Sequence, residues 1–147
     1  MKNRPAWLFT QAAGLPYFRQ GDQTRVVLVT SRSGKKWIFP KGVIDPGETA
    51  ESTAVNEARE EAGVVGRVTG VPLGAYEQAK WGGVAQIDVL PLLCTRLLDS
   101  WEEQSARTRL VLSLDEAATQ IFEPLRPILG ELERSLASGV LPLEPLA

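Results

Sequence analysis

Three glutamates, Glu57, Glu60 and Glu61, fall in a stretch patterned as a helix, and their types and spacing are the ones most suited to chemistry. Residues three and four apart share a helical face, with Cβ atoms about 6 Å from each other. Like charges that close repel. A divalent cation relieves the repulsion through oxygen ligands alone, which suits Mg2+ or Mn2+; without a cation the trio is the solvated face of an amphipathic helix. A second grouping is basic: Arg32, Lys35, Lys36 and Lys41 lie close together just before that stretch and could gather an anionic phosphate. The chain of 147 residues has no histidine and a single cysteine, Cys94. That excludes Ser-His-Asp triads, Cys-His pairs, His-ligated zinc and internal disulfides. Acid–base work is left to carboxylates, Lys, Tyr and water. Cys94, in the apolar run Leu90-Pro91-Leu92-Leu93-Cys94, reads as a small buried hydrophobe. Trp37 and Trp81 could stack on a base or pack in the core.

These groups need elements to hold them. A length of 147 residues suits one domain, and no linker or repeat divides it, so residues 1–147 are expected to form a single domain. Residues 25–31 are β-branched and apolar, forming a strand in a hairpin with residues 14–18 across the Gly21 turn. A short strand at 37–39 stops at Pro40, and residues 42–47, with Pro46 and Gly47, read as a loop. Residues 49–62 then carry Ala50, Ala54, Ala58 and Ala62 at helical spacing, with Thr49 as N-cap and Gly63 after the end. The narrow Ala face packs on a sheet, leaving Glu57, Glu60 and Glu61 on the opposite side. Residues 64–76 and 84–96 read as two further strands around Gly82 and Gly83, and residues 114–121 and 124–136 as two helices, the latter with Pro124 and Pro127 in its first turn. The fold class expected is α/β, an α/β/α sandwich around a mixed β-sheet.

Read from Gly42, the chain runs through five residues to Glu48, through seven more to Asn56, and then Glu57-Ala58-Arg59-Glu60-Glu61-Ala62-Gly63-Val64. This resembles the Nudix box, in which a Gly, a Glu and an Arg-Glu-x-x-Glu-Glu-x-Gly segment recur at that spacing. The one departure is Asn56, where the box has an arginine thought to orient the metal-binding carboxylates. The approach Trp37-Ile38-Phe39-Pro40-Lys41-Gly42 is similar to that of polyphosphate-cleaving branches. The segment Leu98-Asp99-Ser100-Trp101-Glu102-Glu103, followed by Arg107, Arg109 and residues 114–118, is similar to diphosphoinositol polyphosphate phosphohydrolases.

The resemblance implies a Nudix fold and a Mg2+- or Mn2+-dependent pyrophosphohydrolase. Its substrate would be a small polyphosphate, either a diphosphoinositol polyphosphate or a dinucleoside polyphosphate. Glu57 and Glu61 would be the principal metal ligands, with Glu60 a further ligand and the Gly42 carbonyl completing the set. Glu60 is the first choice of general base, and Glu77, Glu102 or Glu103 could reach in from loops. Glu48 would serve the helix start. Arg32, Lys35, Lys36 and Lys41 would bind substrate. With Asn56 in the box, Arg59 or Lys41 would have to help orient the carboxylates, or else the chain is a slow or inactive member that binds a nucleotide or phosphate ligand as a sensor. A net charge of −2 offers no footprint for a nucleic-acid duplex or an anionic membrane. No apolar signal run follows the amino terminus, so a cytoplasmic location is expected. A homodimer is the default for a small α/β protein.

Overall fold

The computed structural model describes residues 4–147; Met1 to Asn3, which open the polar amino-terminal segment, lie outside the described residues. Strands β1 (Thr10–Gln20) and β2 (Gln23–Thr30) form the expected hairpin, pairing Tyr17 with Val26 around a turn in which Gly21 takes a φ of 64°. That left-handed φ costs glycine little and a side chain more. Strand β3 (Trp37–Ile38) pairs antiparallel with the end of β2. The expected loop at 42–47 begins later than its breakers imply. Strand β4 (Lys41–Val43) includes Gly42 and pairs with β1, setting Gly42 opposite Ala12.

Helix α1 (Ala50–Ala62) starts at Thr49, whose side chain accepts from Ser52 N while Ser52 returns a bond to Thr49 N, and it ends on Gly63 at φ 64°. Both signals stand as read from the sequence. Ala54, Ala58 and Ala62 are fully buried, and with no side chain beyond Cβ they let the helix lie close on the sheet. Ala54 packs with Ala12 of β1 and Leu90.

The single strand expected over 64–76 is two, β5 (Val64–Val68) and β6 (Gly74–Lys80), both lying along the 15-residue strand β7 (Gly83–Leu97). The break has a local cause. Pro91 of β7 and Pro72 have no N–H, so the ladder is held only by Thr69 N to Pro91 O and Leu73 N to Val89 O while residues 70–72 bulge out. Beyond β7 a strand that went unread, β8 (Arg109–Ser113), adds antiparallel to the free side of β2. Its alternation covers only five residues, too short to stand out from flanking loop and helix. Helix α2 (Leu114–Gln120) begins at the Ser113 cap, and α3 (Arg126–Ala137) takes Pro127 in its first turn, after a 3-10 turn at Glu123–Leu125.

Eight strands make one mixed sheet, ordered β3-β2-β1-β7-β5, with β4 on β1, β6 on β7 and β8 on β2. Among the described residues, β1 and β7 are the only strand pair that runs parallel. Helix α1 covers one side of the central pair; α3 buries Ile128, Leu129 and Leu132 elsewhere, with Ile128 seated over Gly74 of β6. Trp37 packs at the edge of this core. Cys94 is fully buried, and burial pushes its thiol up to about 11. No helix among the described residues is long and apolar enough to cross a membrane.

Candidate functional site

Gly42 and α1 meet at one end of the sheet. The Glu57 carboxylate lies so close to Gly42 that a Cβ there would overlap it, so a side chain at position 42 would push the carboxylate out of this place. One turn further on, Glu61 is 4% exposed rather than solvated as its helical face implied. Its Oε1 accepts from Lys41 N at 3.2 Å, and its Oε2 lies 3.4 Å from Arg107 Nη2. The Glu57 and Glu61 carboxyls are within hydrogen-bonding reach of each other. Burial, and then the Glu61 charge, push Glu57 up to about 8. Burial also raises Glu61, against the opposing pull of Arg107.

Glu60 is half-buried, and its charge adds to those that raise Glu57. Burial and the neighbouring charges of Glu102 and Glu103 hold it above the usual carboxylate range. Among the described residues no three acidic or thiol side chains converge ready-made on one point. Two do, and their crowding is what a cation would relieve. A close-packed carboxyl pair, one member buried, facing a glycine with no Cβ to fill the space, is an all-oxygen donor set that fits a hard divalent ion.

A cleft of about 690 Å³ opens over this corner, lined among others by Gln11, Lys41, Glu57, Lys80, Trp81 and Arg107. A second cleft of about 450 Å³ shares Ser31, Arg32, Ile38, Lys41 and Gln78 with it, so the two form one groove. Of the four basic residues expected to bind substrate, Arg32 and Lys41 line both parts and Lys36 lines the second, its Nζ 4.1 Å over the Phe122 ring. Lys35 stands outside, exposed in the turn. Lys41 Nζ bonds Gln11 Oε1 at 3.2 Å, and burial followed by the Lys80 charge lowers its pKa to about 8. Two buried donors, Gln11 Nε2 and the Tyr76 hydroxyl, have no partner among the described residues.

The other sequence candidates fall as follows. Glu103 lines the cleft but is taken by Arg107 Nε at 3.0 Å, whereas Glu102 is exposed. Glu77 lines the second part and accepts from Gln86 at 2.8 Å. Glu48 is exposed ahead of the helix cap, and Arg59 and Asn56 are exposed on α1. Trp81 lines the cleft at φ 53°, the one non-glycine residue with positive φ among those described. Arg107, Lys80 and Gln11 were passed over as site residues. The only signal for Arg107 was a cation in the segment after Trp101, and no spacing rule ties it to Glu61, 46 positions earlier.

The segment after Leu98 also closes α1. Glu103 N bonds Glu60 O at 2.9 Å, Trp101 Nε1 bonds Glu61 O at 2.9 Å, and Arg109 Nη1 bonds Ala62 O at 3.0 Å. With Gly63 N on Arg59 O, each of the last four carbonyls has a donor. The Arg109 guanidinium lies 4.3 Å over Trp101 and complements the negative end of the helix dipole.

Residues 8–128 match the family model of the NUDIX domain, and the chain belongs to that family. It is 32% identical over 137 residues to the mouse (Mus musculus) diphosphoinositol polyphosphate phosphohydrolase 3-alpha, covering 91% of this chain and 82% of the relative. It is 31% identical over 103 residues to Nudix hydrolase 17, mitochondrial, of Arabidopsis thaliana, covering 65% of this chain and 53% of that protein. The chain therefore spans about half the length of that plant relative. Among solved structures, a C. elegans Ap4A hydrolase superposes with a TM-score of 0.71 at 16% identity, covering 88% of this chain and 98% of that one. The NUDIX domain of Shewanella oneidensis NrtR, solved with ADP ribose, gives 0.69 at 16% identity, covering 87% and 88%. Both share the α/β/α fold with its mixed sheet.

Proposed function

We propose that the chain is a Mg2+- or Mn2+-dependent pyrophosphohydrolase that cleaves a phosphoanhydride bond of a diphosphoinositol polyphosphate or a dinucleoside polyphosphate. The carrying observation is the crowded Glu57–Glu61 pair against Gly42, at the floor of a groove edged by Arg32, Lys36 and Lys41. In this reading Glu57, Glu61 and the Gly42 carbonyl hold the ion, with Glu60 beside them. When bound, the divalent cation offsets charge on the phosphate oxygens and acidifies nearby water. Water attacks phosphorus, a new P–O bond forms, and the bond to the bridging oxygen breaks. Glu60 takes the proton from the attacking water, and a carboxyl held above its usual range suits that role near neutral pH. Lys41, Arg32 and Lys36 orient the phosphates, joined by the unpartnered donors of Gln11 and Tyr76. Lys35 meets only the outer part of a long substrate.

Several coarser features belong to the same reading. One domain over residues 1–147 is supported by the carboxy-terminal segment, which bonds back to Arg19 and Thr95. A cytoplasmic location accords with a lone, buried cysteine, the near-neutral net charge argues against a duplex or membrane partner, and a homodimer, the default for a small α/β protein, is tested by light scattering.

The test is phosphate release from both substrate classes with Mg2+ and with Mn2+. Hydrolysis by the parent, reduced about a hundredfold or more in Glu60→Gln and in Glu61→Gln, is the expected result. Variants as active as the parent would remove the assignment. A second reading rests on Asn56: a chain without the box arginine that binds a phosphate ligand and does not turn it over, as a domain of this fold binds ADP ribose in NrtR. Tight ligand binding with no release by the parent would favour it.

A further inference from the structure

Glu61 is held by a cation that the acidic helix does not itself supply. Arg107 sits in the segment between β7 and β8, and its side chain is only 8% exposed. Its three nitrogens reach its own segment, β2 and α1. Nε bonds Glu103 Oε1 at 3.0 Å, Nη1 bonds the Thr30 carbonyl at the end of β2 at 3.0 Å, and Nη2 pairs with Glu61 Oε2 at 3.4 Å. The opposite Glu61 oxygen takes Lys41 N at 3.2 Å. The carboxylate is thus pinned at both oxygens, one by backbone and one by a guanidinium that is itself tied down at two other points. A planar fork with fixed donors can do this; an ammonium on a flexible stem cannot satisfy three diverging acceptors. Asn56 and Arg59, the side chains flanking Glu57 and Glu60 on the helix, are exposed and make no ion pair among the described residues.

We propose that Arg107 is the positioning residue of this site: it fixes the Glu61 carboxylate beside Glu57 from outside the Nudix box, and so makes an arginine at position 56 unnecessary. The inference rests on reading the Glu57–Glu61 pair as the divalent-metal site. Partners of this kind typically govern metal affinity and activity by about 10–100-fold.

The experiment compares the parent, Arg107→Lys, Arg107→Gln and Asn56→Arg. Mn2+ binding is measured by calorimetry, kcat and KM on the substrate found above, and the melting temperature in EDTA. Both Arg107 variants should bind Mn2+ about tenfold or more weakly and lose kcat by a similar factor, with KM changed far less, at temperatures where they remain folded. Asn56→Arg should raise the parent's kcat by less than about twofold. A purely structural arginine would lower the melting temperature and leave Mn2+ affinity and kcat unchanged, and that result overturns the proposal. So does a tenfold or larger gain in Asn56→Arg, a readout that stands even if Arg107→Gln does not fold. A parent that binds no Mn2+ overturns the metal-site reading and this inference with it, whereas a parent that binds Mn2+ as tightly as its Arg107 variants do overturns this inference alone.

Discussion

At the residue scale, the acidic pair trades stability for a site. The folded chain holds Glu57 at about 8, against an ordinary 4.5, so between those values it keeps a proton that the unfolded chain has released. Stability of the metal-free protein therefore falls as pH rises from about 4.5 to about 8 and levels off above, the sign set by the larger number of protons bound when folded. Glu57→Gln removes the conflict. In EDTA at pH 8 it should melt higher than the parent, by a gain of about 1 kcal/mol once solvent screening at a half-buried group is allowed for, and its melting temperature should lose that pH slope. Mg2+ added to the parent at pH 8 should raise the melting temperature as it binds the folded form only; no shift at millimolar Mg2+ would count against a metal site here. Cys94 gives a contrasting case. Fully buried, donating to Arg96 O at 3.4 Å and pushed up to about 11, it should resist a thiol reagent at pH 8 until the chain is unfolded in denaturant. Rapid labelling of the native protein would show that β7 opens at that point.

At the element scale, α1 is secured at both ends by different means. Its start is local: Thr49 and Ser52 cap each other within four residues, and the Thr49 cap was legible because capping chemistry is short-range, while the bond returned by Ser52 went unread. Its end is only half local. Gly63 supplies the left-handed turn, but the carbonyls of Glu60, Glu61 and Ala62 are met by Glu103, Trp101 and Arg109 from beyond β7. A Cβ at Gly63 would come within 2.8 Å of both Trp101 and Arg109 Nη1. Gly63→Ala should then cost more than the backbone penalty of about 1–2 kcal/mol for a left-handed residue, because the capping pair must also move. Gly47→Ala is the control, since it has φ 88° with nothing within 4 Å of the added methyl. Urea denaturation should place the Gly63 variant below the Gly47 one; equal losses would mean that the Trp101–Arg109 cap yields freely. The long strand expected at 64–76 failed for a similar reason. Its own Gly70 and Pro72 are breakers, and Pro91 of β7, which cannot donate to it, completes the division in two.

At the scale of the whole molecule, the chain's last residues close the sheet behind the site. The Tyr17 hydroxyl donates to Pro142 O at 2.7 Å, Arg19 N bonds Glu144 O at 2.8 Å, Ala147 N bonds Thr95 O at 2.8 Å, and Leu141 is 6% exposed. Deleting residues 141–147 should cost about 2 kcal/mol or more through the lost apolar burial and the lost hydrogen bond from Tyr17, whose hydroxyl keeps only Thr69 Oγ1 at 2.9 Å. An unchanged denaturation midpoint would show that the tail only rests on the surface. Some of the site needed no structure to be seen. The spacing from Gly42 to Gly63, the Ala-rich face of α1, its caps and the exclusion of histidine chemistry are all carried by neighbours in sequence, where helical periodicity and capping operate over a few residues. What the tertiary structure alone decided is which carboxylate is buried, which cation holds it and which lysines face the groove. Helical geometry placed Glu57, Glu60 and Glu61 together, but the partition among them comes from Gly42 on β4, Lys41 beside it and Arg107 after β7. Those contacts close across the sheet, and the order of residues along the chain records a contact only when it is local.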